Sequence, residues 1–393
     1  MSELPLQGLR VLDLSRVLAG PYCTMLLADL GADVVKVERP GIGDETRTWG
    51  PPFVAGESAY FLALNRSKRS VALDLSDELG HEAFLRLART ADVVVENFRP
   101  GGADALGVDY EHVRALNPNV VYCSITGFGS REPAGRAAYD FVVQAEAGLM
   151  SVTGEPGGEP TKAGVAVADV LAGVNAAVAV LAAVHRRDRT GEGGHVAVSL
   201  LDSSLSGLVN VAQNVLVTGE EAGRYGNAHR SIAPYEPLRA QHGSVAVAAA
   251  NDGLFEKLCR ALGREDLPAD PRFATNASRV EHRGELEQQL EAALAGAPAE
   301  DWIERFHAAG VPAGKIRGVK EALEAASAAG EPATFSVEHP SIGPLELVRT
   351  APRFEGAEPV PAPPPLLGQH TREVLLEAGL DAAQIEAIVA ASG

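Results

Sequence analysis

The chain has 393 residues, enough for two or three domains with a sizeable buried core. Its composition, 46% apolar and 22% charged with only 5% aromatic, is that of a globular protein built on Ala, Val and Leu rather than of a disordered or fibrous one. A formal net charge of -18, from 52 acidic and 34 basic side chains, argues against nucleic-acid or membrane partners and requires that any anionic ligand meet a local basic pocket.

In chain order, the N-terminal stretch MSELPLQGLRVLDLS lacks a basic region followed by an apolar one, so no secretory signal is expected. Short Val/Ile-rich runs then alternate with helical patterns. Strands are predicted at 10–14, 33–38, 70–75, 92–97 and 119–125, and helices near 19–30, 77–90 and 101–115. After a glycine-rich stretch at 153–164, the apolar run 170–184 falls short of the ~20 residues that span a bilayer and reads as a buried helix. HVAVSL then returns as a strand. The fold class is α/β, with a doubly wound, mostly parallel, Rossmann-like large domain.

From about 219 to 235 the pattern loosens, and GSVAVAAANDGLFEKLCRALG opens a smaller α/β domain that continues through helices at 278–295, 301–310 and 319–328. The expected division is a large domain at 1–200, a linker at 201–228, a small domain at 229–329, and a linker with C-terminal return at 330–393. PVPAPPPLLG is too proline-rich for a regular element. Thr371 is expected to cap the helix REVLLEAG, which Gly379 ends.

A nicotinamide dehydrogenase would carry GxGxxG after the first strand, where this chain has SRVLAGP. The fragments GIGDET at 41 and GFGSRE at 127 read as plain turns. Neither a Walker lysine motif nor the GxSxG of a serine hydrolase occurs. Cys23, Cys123 and Cys259 form no CxxC pair and the ten histidines are scattered, so no metal site is expected and a reducing, cytoplasmic setting fits. Lys68 and Arg69 read either as added positive potential or as a solvated turn. Asp169 is a lone carboxylate in GVAVADVLAGVNAAVAVLAAV. From the local pattern it reads first as a helix N-cap, and the same facts also suit a desolvated nucleophile, which local sequence does not separate from it.

Six segments in order resemble the class III CoA-transferases: LDLSRVLAGP (12–21), LADLGADVVKVERPGIGDETR (27–47), NRSKRSVALDL (65–75), DVVVENFRPG (92–101), LNPNVVYCSITGFG (116–129) and LGQHTREVL near the C-terminus. That family includes formyl-CoA, carnitine-CoA and bile-acid-CoA transferases and the related α-methylacyl-CoA racemases. The resemblance implies that Asp169 attacks an acyl-CoA to form an aspartyl anhydride and then an aspartyl-CoA thioester. CoA is thus a substrate, with no tightly bound cofactor and a small carboxylic acid as second partner.

For CoA contacts the matching positions are Val17, Leu18, Arg39, Leu73, Leu75, Asn97, Phe98, Arg99, Arg136 and Tyr139, with Ser76 closing one matching segment. Arg39 and Arg99 suit phosphates, and Leu73 and Leu75 suit adenine. Ala105 stands where some relatives have Arg, and Leu18 where the formyl-CoA branch has Gln. The family's glycine-rich lid corresponds to NDG, 251–253, and Gly154, Gly157 and Gly158 offer a second candidate cover. The racemase alternative expects a histidine in a GHD-like segment, where this chain has AYD, 138–140. A silent CoA-binding protein of the same fold is the third reading. By resemblance the quaternary structure is an interlaced homodimer.

Overall fold

Valine-rich runs become strands because β-branched side chains suit a pleat buried on both faces. In the computed structural model, which describes residues 4–129, 136–330, 332–354 and 360–392, six such runs pair in parallel. They are β1 (Arg10–Asp13), β2 (Asp33–Glu38), β3 (Lys68–Ala72), β4 (Val93–Glu96), β5 (Val121–Thr126) and β6 (Gly194–Ser199). Their order is β3-β2-β1-β4-β5-β6, so the winding direction reverses between β1 and β4, where open α/β sheets place ligands.

Successive side chains feed opposite faces. Val11, Val34, Val93 and Val121 face α1 (Ala19–Asp29), while Leu12, Val35, Val94 and Tyr122 face α2 (Glu78–Ala88) and α3 (Tyr110–Leu116). Beyond β5 come α4 (Asp140–Glu146) and α5 (Val167–Thr190), then α6 (Leu200–Gly207) and α7 (Val209–Thr218). The C-terminal helices Thr371–Glu377 and Ala382–Ser392 return to the α2 face through Val374, Leu375, Ile385 and Ile388.

The apolar helix α5 runs to 24 residues, longer than the sequence pattern suggested. Half of its most apolar window is buried, with Ala168, Ala172 and Ala176 fully so. Gly173 sets its approach to α1, since a Cβ there would lie 2.7 Å from the Ala19 carbonyl oxygen.

By contact density the chain forms two units. The first comprises Met1–Leu149, Lys162–Glu220 and Ala333–Gly393, the second Met150–Thr161 and Glu221–Pro332. The second holds a three-stranded antiparallel sheet, in the order Ala313–Lys315, Ser244–Ala248, Tyr235–Arg239. Its own core includes Phe255, Leu258, Phe273, Leu290 and Phe306.

Several expectations change. The helix at 101–115 is two, Gly102–Ala105 and Tyr110–Leu116, because Gly107 adopts φ +64 and Asp109 caps a new start. Residues 200–218, mostly within the expected linker, are helical, with Ser199 capping α6 by accepting from the Asp202 N–H. Thr371 does not cap its helix; its hydroxyl accepts from the Ala72 N–H and donates to the Gly368 carbonyl, tying the C-terminal return to β3. NDG is a helix cap, in which the Asn251 side chain accepts from Leu254 N–H. Gly154 and Gly158 are pinned through their carbonyls by Gly226 N–H and Arg224.

Lys68 and Arg69 are neither solvated nor free for a ligand. Lys68 is buried, donating to Asp13 at 3.0 Å, Pro21 O and Asn65. Arg69 pairs with Asp33, Glu373 and Glu377. Asp13 also accepts from the Ser15 N–H and hydroxyl and from Thr24. Lys36 donates to Ser15 O at 2.7 Å and pairs with Asp44 at 3.0 Å. Asp13, Lys36 and Lys68 are each fully or almost fully buried. Burial opposes ionisation of Asp13, but Lys68, Lys36 and the two hydroxyls outweigh it and hold the carboxyl well below its ordinary range.

Removing one partner of such a cluster strands a buried charge, which costs about 3–5 kcal/mol. Lys68→Met is expected to destabilise the protein by that amount in denaturant unfolding. Adding Asp13→Asn to it is expected to recover part of the loss.

Candidate functional site

The site begins where β1 ends. The chain turns back through Ser15–Leu18 before α1, and Gly20 is required there because a Cβ would lie 2.2 Å from Ser15 Cβ. Asn97, just past β4, clamps this loop from both sides: its Oδ1 accepts from Arg16 N–H at 2.8 Å and its Nδ2 donates to Arg16 O at 2.7 Å. Val17 is thereby held at φ +69, a left-handed conformation that β-branched residues avoid. Its N–H points to Asp44 Oδ1 at 3.3 Å. The next residue, Phe98, is fixed by its N–H donating to Glu96 at 2.7 Å.

Two cavities adjoin at this loop. The larger, about 610 Å³, includes Arg39, Leu73, Leu75 and Ser76 in its lining, along with Ile42, Gly43 and Asp44. The smaller, about 130 Å³, is lined by Val17, Leu18, Asn97, Phe98, Arg99, Arg136 and Tyr139, with Asp169 among them. Arg16, Glu45 and Phe98 line both. Unlike Lys68, Arg69 and Ala105, which line neither, Asp169 and the positions matched to CoA contacts therefore each line at least one of these two adjoining hollows. Leu73 does so as a core residue, only 1% exposed, whereas Leu75 is partly buried. Arg136 is already engaged, paired with Glu146 and stacked 3.7 Å over the Phe128 ring.

Three groups escaped sequence reasoning. GIGDET was read as a plain turn, yet Ile42, Gly43, Asp44 and Glu45 line the larger cavity. Arg16 stands at the junction, paired with Glu45 at 2.9 Å, while its Nε is buried without a hydrogen-bond partner among the described residues. A basic residue in the only loop that replaces the dinucleotide glycines was the available signal. Tyr60, on the short helix Ala59–Leu62, lies within electrostatic reach of Asp169. Burial first, then the charges of Asp169, Asp140 and Asp44, push its hydroxyl up to about 12.

The fold also assembles a group that sequence spacing did not show. Asp104, Asp109 and His112 have ligand atoms within 4.8 Å of one another. Asp109 there caps α3 and holds the His112 ring.

Asp169 is the third residue of α5, not its cap. It is partly buried and forms no ion pair among the described residues. Burial, with the Asp140 charge second, pushes its carboxyl up from the usual 3.8 to about 7. Such a group is a basic, poorly solvated carboxylate, suited to attack an electrophilic carbonyl once ionised.

The sequence model of the family described as "CoA-transferase family III" matches residues 6–371. The chain is 42% identical over 378 residues to the succinyl-CoA:glutarate CoA-transferase of Mus musculus, covering 96% of this chain and 87% of that one. It is 43% identical over 387 residues to the succinate–glutarate CoA-transferase of Agrobacterium fabrum, covering 95% of each. The crystal structure of a CAIB/BAIF family protein from Brucella suis superposes with a TM-score of 0.85 at 42% identity, covering 96% of this chain and all of that one.

A carboxyl whose folded-state pKa lies above its unfolded value contributes stability that is fully present below about 3.8 and is lost as pH rises through about 7. Asp169→Asn removes the burden of the buried charge. Its Tm is expected to exceed the parent's by a few degrees at about pH 8 and to match it at about pH 4; thermal melts at the two pH values check this.

Proposed function

Because the chain belongs to CoA-transferase family III, we propose that it passes coenzyme A from a short dicarboxylyl-CoA to a second dicarboxylate, with Asp169 as the covalent carrier. It is an acyl-CoA:carboxylate CoA-transferase. The dicarboxylate class is supported by the succinate and glutarate in its relatives' names. The observation that carries the role of Asp169 is its place: among the described residues of the narrow cavity it is a carboxylate without a cation, whereas Glu45 is held by Arg16.

In this reading the adenosine end lies against Leu73, Leu75 and Arg39, and the pantetheine arm passes Phe98 and Val17 to bring the thioester to Asp169. Asp169 attacks the thioester carbonyl, forming an aspartyl–acyl anhydride and expelling CoA thiolate. The thiolate attacks the aspartyl carbonyl, which breaks the anhydride, frees the donor acid and leaves an aspartyl-CoA thioester. The acceptor carboxylate attacks that thioester, giving a second anhydride and thiolate. The thiolate then attacks the acceptor's acyl carbonyl, forming the new acyl-CoA and regenerating the Asp169 carboxylate. Each step exchanges one activated acyl bond for another, so water must be kept out.

The racemase alternative is disfavoured by the absence of a histidine among the described residues lining either cavity. The interlaced homodimer and a cytoplasmic setting belong to the same proposal. The first is supported by apolar surface on α7, where Val209, Leu216 and Val217 are 69%, 78% and 74% exposed. The second is supported by three buried free thiols.

Asp169→Asn is expected to lower CoA exchange between acids by about a thousandfold or more, and hydroxylamine is expected to trap an adduct on the parent's Asp169 peptide only. Full exchange by the variant would end the proposal. Leu216→Glu with Val217→Glu is expected to shift the parent's dimer to monomer in light scattering. A panel of acids is expected to rank those with two carboxylates above those with one.

A further inference from the structure

A helix leaves its first N–H groups unpaired unless something caps them. The residue in the cap position of α5 is Ala166, which has no side chain to do so. The missing acceptor comes from α4. Asp140 Oδ1 accepts from Ala168 N–H at 2.8 Å and from Asp169 N–H at 3.4 Å, and its Oδ2 accepts from Gln144 Nε2 at 2.6 Å. Gln144 is anchored in turn, its Oε1 accepting from Ala163 N–H at 2.8 Å. A carboxylate thus grips the backbone of the residue assigned as nucleophile, and it brings a like charge against it.

We propose that Asp140 is a positioning residue acting through Asp169: it supplies the cap that fixes the first turn of α5, and its charge opposes the free Asp169 carboxylate but not the acylated one. The inference rests on Asp169 being the covalent carrier. Attack on the thioester turns Asp169 from an anion into a neutral anhydride, and thiolate then turns that anhydride into a neutral thioester with loss of the donor acid, so the repulsion is present in the resting enzyme and relieved in both intermediates. Asp140 therefore favours formation of the covalent species and adds to burial in raising the pH at which Asp169 is ionised.

Other groups around Asp169 do not substitute for it. Tyr60 keeps its proton at neutral pH. In the cavity, Arg16 and Glu45 neutralise one another, and Arg136 is paired with Glu146. Arg99 and Tyr139 line the same cavity, and Tyr22 of α1 packs at Gly173, further along the helix. Asp140 is the charge that joins burial in shifting Asp169.

The test compares Asp140→Asn and Asp140→Glu with the parent in kcat against pH, using one acyl-CoA donor and one acid acceptor. Asparagine keeps an acceptor for the Ala168 N–H and removes the charge. The acid-limb midpoint of Asp140→Asn is expected to fall by about one pH unit, with the KM for acyl-CoA unchanged, a lower Tm from the lost Gln144 hydrogen bond, and less aspartyl-CoA adduct at steady state. Asp140→Glu is expected to restore the parent's midpoint. Should Asp140→Asn fail to fold, Asp140→Ser, a short uncharged cap, carries the same comparison.

An unchanged midpoint, with lower kcat or Tm, would make Asp140 only a structural cap and overturn the inference. Asp169→Asn keeps the two ideas apart. If it is inactive while the Asp140→Asn midpoint stays put, only the role of Asp140 fails; if it is active, the covalent role of Asp169 fails.

Discussion

The structure turns on a buried set of charges beneath the loop that follows β1. Asp13, Lys36 and Lys68 are sealed from solvent, and their partners include Ser15 and Asp44, the residues that shape the loop and the wall facing it. An ion cluster of this kind adds little net stability over an apolar one, because desolvation offsets the attraction. What it does impose is geometry. Ser15 is fixed from two directions, Arg16 is clamped by Asn97, and Val17 is forced into a left-handed conformation. The two cavities meet at that loop, at the point where the sheet reverses its winding.

Asp13 and Asp169 show how environment divides the work of two identical side chains. Asp13 is fully buried and Asp169 partly so. Asp13 has two ammonium groups and two hydroxyls around it and stays ionised, which suits a structural anchor. Asp169 has a second carboxylate as its charged neighbour and is driven toward neutrality, which suits the role proposed for it. Burial opposes the charge of both, and the neighbours decide which carboxyl stays ionised and which is driven toward neutrality.

Much of this was legible in the chain. The strands at 33–38 and 92–97 and the helix at 19–30 lie within a residue or so of the observed elements, because buried parallel strands and a mostly buried apolar helix leave strong local patterns. The cavity-lining residues were reached through resemblance rather than periodicity. Sequence alone could not separate cap from nucleophile at Asp169, since the true cap, Asp140, lies 29 residues upstream. Lys68 and Arg69 looked like a basic turn because their partners, Asp13, Asp33, Glu373 and Glu377, are distant in the chain. Ion pairing of that kind is a tertiary property, as is the gathering of Ile42 and Gly43 into a cavity wall.

The central claim is that the acyl group and then CoA reside on the Asp169 side chain. Heavy-oxygen labelling of the acceptor's carboxylate tests it most directly. Attack through Asp169 leaves one acceptor oxygen on the aspartyl carboxylate when the new acyl-CoA departs, so mass spectrometry after turnover should find a single heavy oxygen on the Asp169 peptide. That label should then appear in the donor acid released by the following turnover. Label passing straight from acceptor to donor acid, with the enzyme peptide unlabelled, would mean that the two acids react with each other directly, and would contradict the account.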